Sequence, residues 1–189
     1  EATGRGVQYA LREFFRHKDD VKRANMSGGL GGKRLVIQGL GNVGYHAAKF
    51  LSEEDDVKII AIIERDGVIS NKKGLPVEKV YQFICKNKTI KGFPNAKFEK
   101  NGAKALEMEC DILVPAAMES QITEENANRI KAKLVVEAAN GPVTFEADTI
   151  LNKRGVVTMP DTYVNAGGVT VSYFEWIRNL SHIRFGRME

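Results

Sequence analysis

Several features that would single out a function are scarce in this chain of 189 residues. It has two cysteines, Cys85 and Cys110. They are too few for a disulfide scaffold and lack metal-ligand spacing, so both are expected to be buried or partly buried free thiols in a reducing compartment. The three histidines, His17, His46 and His182, show no partner pattern for metal ligation or acid–base work. They are read as structural or surface residues, and no metal site is expected. No apolar stretch is long enough to span a bilayer, and no secretory signal is visible. The expected location is the cytoplasm, or the mitochondrial matrix in a cell with organelles, with no membrane partner.

Runs of like charge are also missing. The 28 basic residues are scattered among 24 acidic ones, leaving a net charge of +4. Without a run of five or more like charges, no nucleic-acid partner is expected. A mildly basic surface suits anionic small molecules such as dinucleotides and dicarboxylates. There is no internal repeat and no low-complexity segment. Hydrophobic residues make up 43%, enough for one core at this length, so residues 1–189 are read as one domain.

What the sequence does have is alternation. Val7, Ala10, Leu11, Phe14 and Phe15 recur at helical spacing, and this helix is expected to end near the charged stretch 16–23. After the glycine-rich loop 27–32, Arg34 to Gln38 is a short β-branched run, read as a buried strand. Val43, Ala47, Ala48 and Leu51 predict a helix, and Val57 to Ile63 a second strand. Strand, helix and strand within about thirty residues form a βαβ unit. Gly67 to Gly74 is read as turns, a helix starts at Pro76, Gly92 to Glu99 holds a short edge strand, and Gly102 to Glu109 a helical turn. Strands are then expected at 111–114, 134–136 and 156–159. Helices are expected at 123–131, 144–153 and 169–179. Thr123 is the expected N-cap of the first of these, although Asn126 stands where Glu or Gln would complete a capping box. The pattern predicts an α/β, Rossmann-like doubly wound fold: a mostly parallel sheet with helices on both faces.

The strongest local motif is Gly39-Leu40-Gly41-Asn42-Val43-Gly44, between a predicted strand and a predicted helix. Gly39 allows the tight turn, Gly41 lets backbone approach a pyrophosphate, and Gly44 lets helix and strand pack closely. Gly39, Gly41, Asn42 and Val43 are therefore expected against a dinucleotide, whose phosphates face the free N–H groups of the helix. Glu64 ends the second strand, where a carboxylate accepts hydrogen bonds from ribose hydroxyls and repels a 2′-phosphate. This favours NAD. The neighbouring Arg65 can pair with a 2′-phosphate, which leaves NADP open.

The chain opens at Glu1, inside what reads as a motif, so a preceding segment is expected. Five stretches, in order, resemble the cofactor domain of glutamate dehydrogenases, within the Glu/Leu/Phe/Val dehydrogenase family. They are Thr3-Gly4-Arg5-Gly6, the glycine turn, 110–117, Val136 to Pro142, and Pro160-Asp161 with 165–173. The resemblance implies a role for several residues. Thr3 would contact the cofactor near its nicotinamide, Ala116 and Ala117 would lie beside the nicotinamide ribose, and Asn140 would face the ribose and carboxamide. Asn165 would stand at the cleft near nicotinamide and substrate. Ser172 would bind the side-chain carboxylate of glutamate, with Val169 an apolar wall of that pocket. Tyr173, Phe174 and Trp176 are read as packing residues, and Lys33 is given no catalytic role. The resemblance further implies oxidative deamination of L-glutamate to 2-oxoglutarate and ammonia, with hydride passing to NAD(P). The catalytic lysine and aspartate would lie in another domain. No catalytic residue is expected in this stretch, which alone would be inactive, and the full-length enzyme would be a homo-hexamer. The C-terminal stretch Asn179 to Arg187 is expected to fray.

Two other readings fit parts of the sequence. A leucine, phenylalanine or valine dehydrogenase shares the glycine turn, but Ser172 suits a carboxylate side chain better than an apolar one. A non-catalytic NAD-sensing module fits the shortage of acid–base residues, but not the glutamate-type motifs.

Overall fold

The computed structural model describes residues 1–181, apart from the Ser181 side chain. His182, and most of the stretch expected to fray, lie outside the described residues. The sheet has seven strands: β1 (Arg34–Gln38), β2 (Lys58–Glu64), β3 (Gly67–Ser70), β4 (Lys97–Glu99), β5 (Ile112–Pro115), β6 (Leu134–Val136) and β7 (Val157–Met159). Their order is β4-β3-β2-β1-β5-β6-β7. β1 pairs in parallel with β2 and β5, and β5, β6 and β7 continue in parallel, while β3 and β4 are antiparallel. The fold is the expected mostly parallel α/β sheet.

Strands buried on both faces need unbroken apolar runs, and residues 35–37 of β1, 59–63 of β2, 112–115 of β5 and 134–136 of β6 supply them. Leu35, Ile37, Ile59 and Ile62 enter one core, and Val36, Ala61, Ile63 and Leu113 the other. The alternation slips once, where Ile60 and Ala61 face the same core. At that point the β1–β2 register also shifts, and Ile60 is the extra residue of a β-bulge.

The first core is covered by α1 (Ala2–Arg16), α3 (Asn42–Glu54) and α4 (Val77–Asn87). The second lies under a 3-10 turn (Ala103–Glu107), α5 (Glu124–Ala127) and α6 (Phe145–Lys153). Among the described residues, helices α2 (Lys18–Arg23), α7 (Asp161–Val164) and α8 (Ala166–Ser181) are the others, and α8 packs on α1. Gln8, fully buried on α1, donates to Asp55 Oδ2 at 2.6 Å and Glu54 Oε2 at 3.1 Å, so α1 is locked to the end of α3. No helix among the described residues is long and apolar enough to cross a membrane.

The structure corrects several local expectations. Gly67–Ser70 is a strand rather than turns: Glu64 pairs with Gly67, so Arg65-Asp66 is a two-residue hairpin turn. The charged stretch after Arg16 forms α2, whose first turn carries Asp19 and Asp20 against the helix dipole. Helix α5 stops at Ala127, not near Lys131. The guanidinium of Arg154 binds the Ala127 carbonyl, and that of Ile130 at 2.7 Å, which takes acceptors a longer helix would use. Asn126 does complete the capping box, with Oδ1 accepting Thr123 N–H at 2.9 Å. Cys110 is buried as expected, but Cys85 is exposed. Tyr173, Phe174 and Trp176 are exposed at 56%, 46% and 57% and do not pack into the described core.

Candidate functional site

The strand order reverses at β1. One crossover leaves it through α3 to β2, and its other neighbour, β5, begins the opposite half of the sheet. In such sheets ligands bind beyond the carboxyl ends of the strands at the reversal.

The glycine turn sits there. Gly39 has φ +87°, a left-handed conformation that suits glycine, and its N–H donates to Ile63 O at 2.7 Å. A Cβ on Gly44 would lie 1.9 Å from Gly39 O, so only glycine lets α3 start this close to β1. A Cβ on Gly41 meets nothing within 4 Å. The space above Gly41, at the N-terminus of α3, is open in the way an approaching pyrophosphate would need, and no contact among the described residues demands glycine there. Asn42 is exposed in the first turn of α3, and its carbonyl faces His46 Nδ1 at 2.7 Å. Glu64 is half-buried beside the turn, its Oε1 accepting Leu40 N–H at 2.6 Å. Arg65 is exposed on the hairpin turn.

From this turn a cleft of about 600 Å³ extends across the ends of β5 and β6. The sequence-predicted residues Thr3, Val43, Ala116, Ala117, Asn140, Asn165, Val169 and Ser172 all line it. Thr3 arrives because α1 packs on α8. Ala116 is held by its N–H to Gln38 O at 2.8 Å, directly after β5. Ala138, Ala139 and Gly168 complete the lining; the sequence motifs at 136–142 and 165–173 include them, but no individual role was expected of them. Gly39, Gly41, Asn42, Glu64 and Arg65 do not line this cleft. A second depression of about 610 Å³ shares Thr3, Gly168 and Ser172 and adds Arg5 and Glu175.

Asn165 is the most informative of these groups. Its Nδ2 approaches Ala139 O at 3.4 Å and Asn140 Oδ1 at 3.5 Å, both long. Its Oδ1 is buried and has no hydrogen-bond partner among the described residues. A buried acceptor left unpaired costs roughly 1–3 kcal/mol, which a ligand N–H would remove. The groups lining the cleft are neutral amides, a hydroxyl pair and small apolar side chains. They suit a carboxamide, a ribose and an apolar ring face; Ser172 offers an anion only a hydroxyl. Among the described residues, no group of three or more His, Cys, Asp and Glu converges to hold a metal ion.

The sequence model described as Glutamate/Leucine/Phenylalanine/Valine dehydrogenase matches residues 1–189. The chain is 54% identical over 191 residues to a probable glutamate dehydrogenase of Sinorhizobium fredii, covering 100% of this chain and 42% of that protein. It is 50% identical over 188 residues to a mitochondrial glutamate dehydrogenase of Dictyostelium discoideum, covering 100% of this chain and 37% of that protein. Among solved structures, the hetero-hexameric glutamate dehydrogenase of Thermus thermophilus in its leucine-bound form superposes with a TM-score of 0.84 at 28% identity. That match covers 98% of this chain and 41% of the other. The chain thus spans well under half the length of each of these relatives.

Proposed function

Because the chain belongs to the glutamate/leucine/phenylalanine/valine dehydrogenase family, we propose that it is the dinucleotide-binding domain of an enzyme that oxidatively deaminates L-glutamate to 2-oxoglutarate and ammonia. The carrying observation is that Thr3, Ala116, Ala117, Asn140 and Asn165 line one cleft beyond the ends of β5 and β6, beside the glycine turn, with two amides that suit a nicotinamide carboxamide. The cofactor, when bound, supplies hydride acceptance, and the domain orients the reacting atoms and excludes water. The glycine turn and the start of α3 take the pyrophosphate, and Glu64 takes the adenosine ribose, favouring NAD over NADP. Ala116, Ala117 and Thr3 flank the nicotinamide end. Val169 and Ser172, on the first turns of α8, form one wall of the substrate pocket.

Hydride transfer from an amino acid also needs groups that move protons, and the neutral lining of this cleft has none. Those groups belong to the part of the enzyme beyond the matched length, as does a cation to pair with the glutamate side chain. The chain alone therefore binds dinucleotide but turns over glutamate negligibly. The assembled enzyme is a hexamer, by likeness to the hetero-hexameric Thermus protein.

Calorimetric titration with NAD and NADP tests the reading. Saturable binding of NAD, tighter than that of NADP, is expected. Binding of neither removes the dinucleotide assignment, and robust glutamate turnover by this chain removes the division of labour.

A further inference from the structure

The loop after β6 and the loop after β7 carry the two asparagines of the cleft, and two carboxylates tie these loops to each other. Glu137 directly follows β6 and is only 8% exposed. Its Oε2 accepts the backbone N–H of Asp161, on the other loop, at 2.9 Å. Asp161 opens α7, and its Oδ2 reaches back to accept the backbone N–H of Gly141 at 2.9 Å. Its Oδ1 takes Thr162 N–H at 2.6 Å. Each carboxylate thus caps an N–H of the loop that carries the other.

The enclosed residues are the ones the cleft uses. Asn140 immediately precedes Gly141. Asn165 follows α7, and its N–H donates to Asp161 O at 2.8 Å. A shift of Asp161 is therefore passed along one helical turn to Asn165, and a shift of Gly141 to Asn140. The asparagines do little to fix each other, because their direct contact is 3.5 Å long. Charge-assisted bonds at 2.9 Å are roughly twice as strong as neutral ones, so the cross-strap sets the separation.

The burial of Glu137 supports a dedicated role. Desolvation raises its pKa, the N–H groups of Asp161 and Val143 oppose that rise, and the charges of Asp161 and Asp148 add to it. An apolar side chain would fill this buried site at lower cost, but it could not hold Asp161.

We propose that Glu137 and Asp161 are positioning residues, whose reciprocal backbone bonds hold Asn140 and Asn165 at the spacing that reads the nicotinamide end of the dinucleotide. The proposal rests on the dinucleotide reading above. It makes the two halves of the ligand separable. The adenosine half is assigned to Glu64 and the glycine turn, away from the strap.

The test is calorimetric titration with NAD and with ADP-ribose, which lacks the nicotinamide. The chain is compared with Glu137→Leu, Glu137→Gln, Asp161→Ala and Asp161→Asn, each with a melting curve. Glu137→Leu and Asp161→Ala are expected to weaken NAD about tenfold and ADP-ribose less than about twofold. Glu137→Gln keeps a carbonyl oxygen for Asp161 N–H and is expected to recover most of the NAD affinity, whereas Asp161→Asn has one acceptor for the two N–H groups of Gly141 and Thr162 and should recover only part of it. Should Glu137→Leu fail to fold, Asp161→Ala, at a half-exposed residue, carries the comparison. Equal weakening of both ligands means a general structural role and overturns the proposal, as does unchanged NAD affinity in the Leu and Ala variants. If the unaltered chain binds ADP-ribose but gains nothing from the nicotinamide, the asparagines do not read it and the positioning role falls. If it binds neither ligand, the dinucleotide assignment itself has failed.

Discussion

The Oε1 of Glu64 accepts a hydrogen bond from the backbone N–H of Leu40 at 2.6 Å. The last residue of β2 is thereby fastened to the middle of the glycine turn, so Glu64 has two tasks. One oxygen shapes the turn, and in the proposed function the other takes a ribose hydroxyl. Glu64→Ala removes both and is expected to weaken NAD more than about tenfold. Glu64→Gln keeps an acceptor for Leu40 but loses the charge that opposes a 2′-phosphate. Its NAD affinity should fall less, and its preference for NAD over NADP should narrow. Titrating both variants with both dinucleotides checks this. If Glu64→Gln leaves the preference unchanged, Glu64 does not govern it.

The two cysteines should behave as opposites. Cys110 is 1% exposed, and burial pushes its thiol up to about 12, with the charge of Asp111 adding to the rise. Cys85 is exposed on α4. A thiolate-selective reagent near neutral pH should modify one thiol in the folded chain, identified as Cys85 by peptide mapping. The second should react only on unfolding. Rapid modification of Cys110 in the folded chain would show that the β1–β5 region opens far more readily than this packing implies.

The central strands were legible because burial on both faces demands an unbroken apolar run, and Leu35 to Ile37 and Ile59 to Ile63 supply one. β3 was not legible from period, since Val68 and Ile69 are too few to show any. Its signal was Asp66-Gly67 at the end of the isoleucine run, a hairpin dipeptide whose glycine begins the returning strand. In the cleft, the roles of Asn140, Asn165 and Ser172 were carried by the resemblance of their motifs, and the chemistry of amides and a hydroxyl agrees with it. Ala138, Ala139 and Gly168 line the same cleft without a functional group to mark them, and Ala116 and Ala117, equally small, were marked only through the resemblance. The aromatic residues of α8 illustrate a further limit. Helical spacing shows that Tyr173, Phe174 and Trp176 are on a helix but not which surface covers them, and in the described residues they face outward.

The α3–α4 contact should give the chain a measurable acid dependence. Glu78 lies near 2 instead of 4.5, first because Tyr45 Oη donates to it at 2.6 Å, then because Lys49 and Gln82 do. A carboxylate with a lowered folded pKa contributes stability that is complete above its unfolded value and lost as pH falls through the folded one. The window here is therefore about pH 4.5 down to 2. Tyr45→Phe removes the main donor yet retains the ring stacked on Tyr81 at 3.8 Å. Melting temperatures from pH 5 to 2 should fall less steeply in that variant, because it has less to lose. The difference should shrink at high salt, which screens the contribution of Lys49 at this partly exposed site. Parallel curves for the two proteins would mean that Glu78 titrates normally.

Gly41 and Gly44 separate what the glycine turn does for the fold from what it does for the ligand. An added methyl at Gly44 would lie 1.9 Å from Gly39 O, a backbone atom that cannot move without shifting β1 or α3. Gly44→Ala should destabilise the chain by at least about 1–3 kcal/mol, the range for overpacking, and lose binding as a consequence. At Gly41 the same methyl meets nothing, and the backbone there, with φ −74° and ψ −164°, accepts alanine without strain. Gly41→Ala should therefore melt within about 2 °C of the unaltered chain while binding NAD at least about tenfold more weakly, since only an incoming pyrophosphate contests that space. A stability loss at Gly41 matching that at Gly44 would mean that the turn is structural throughout. Unchanged stability with unchanged binding would place the phosphates somewhere other than the start of α3.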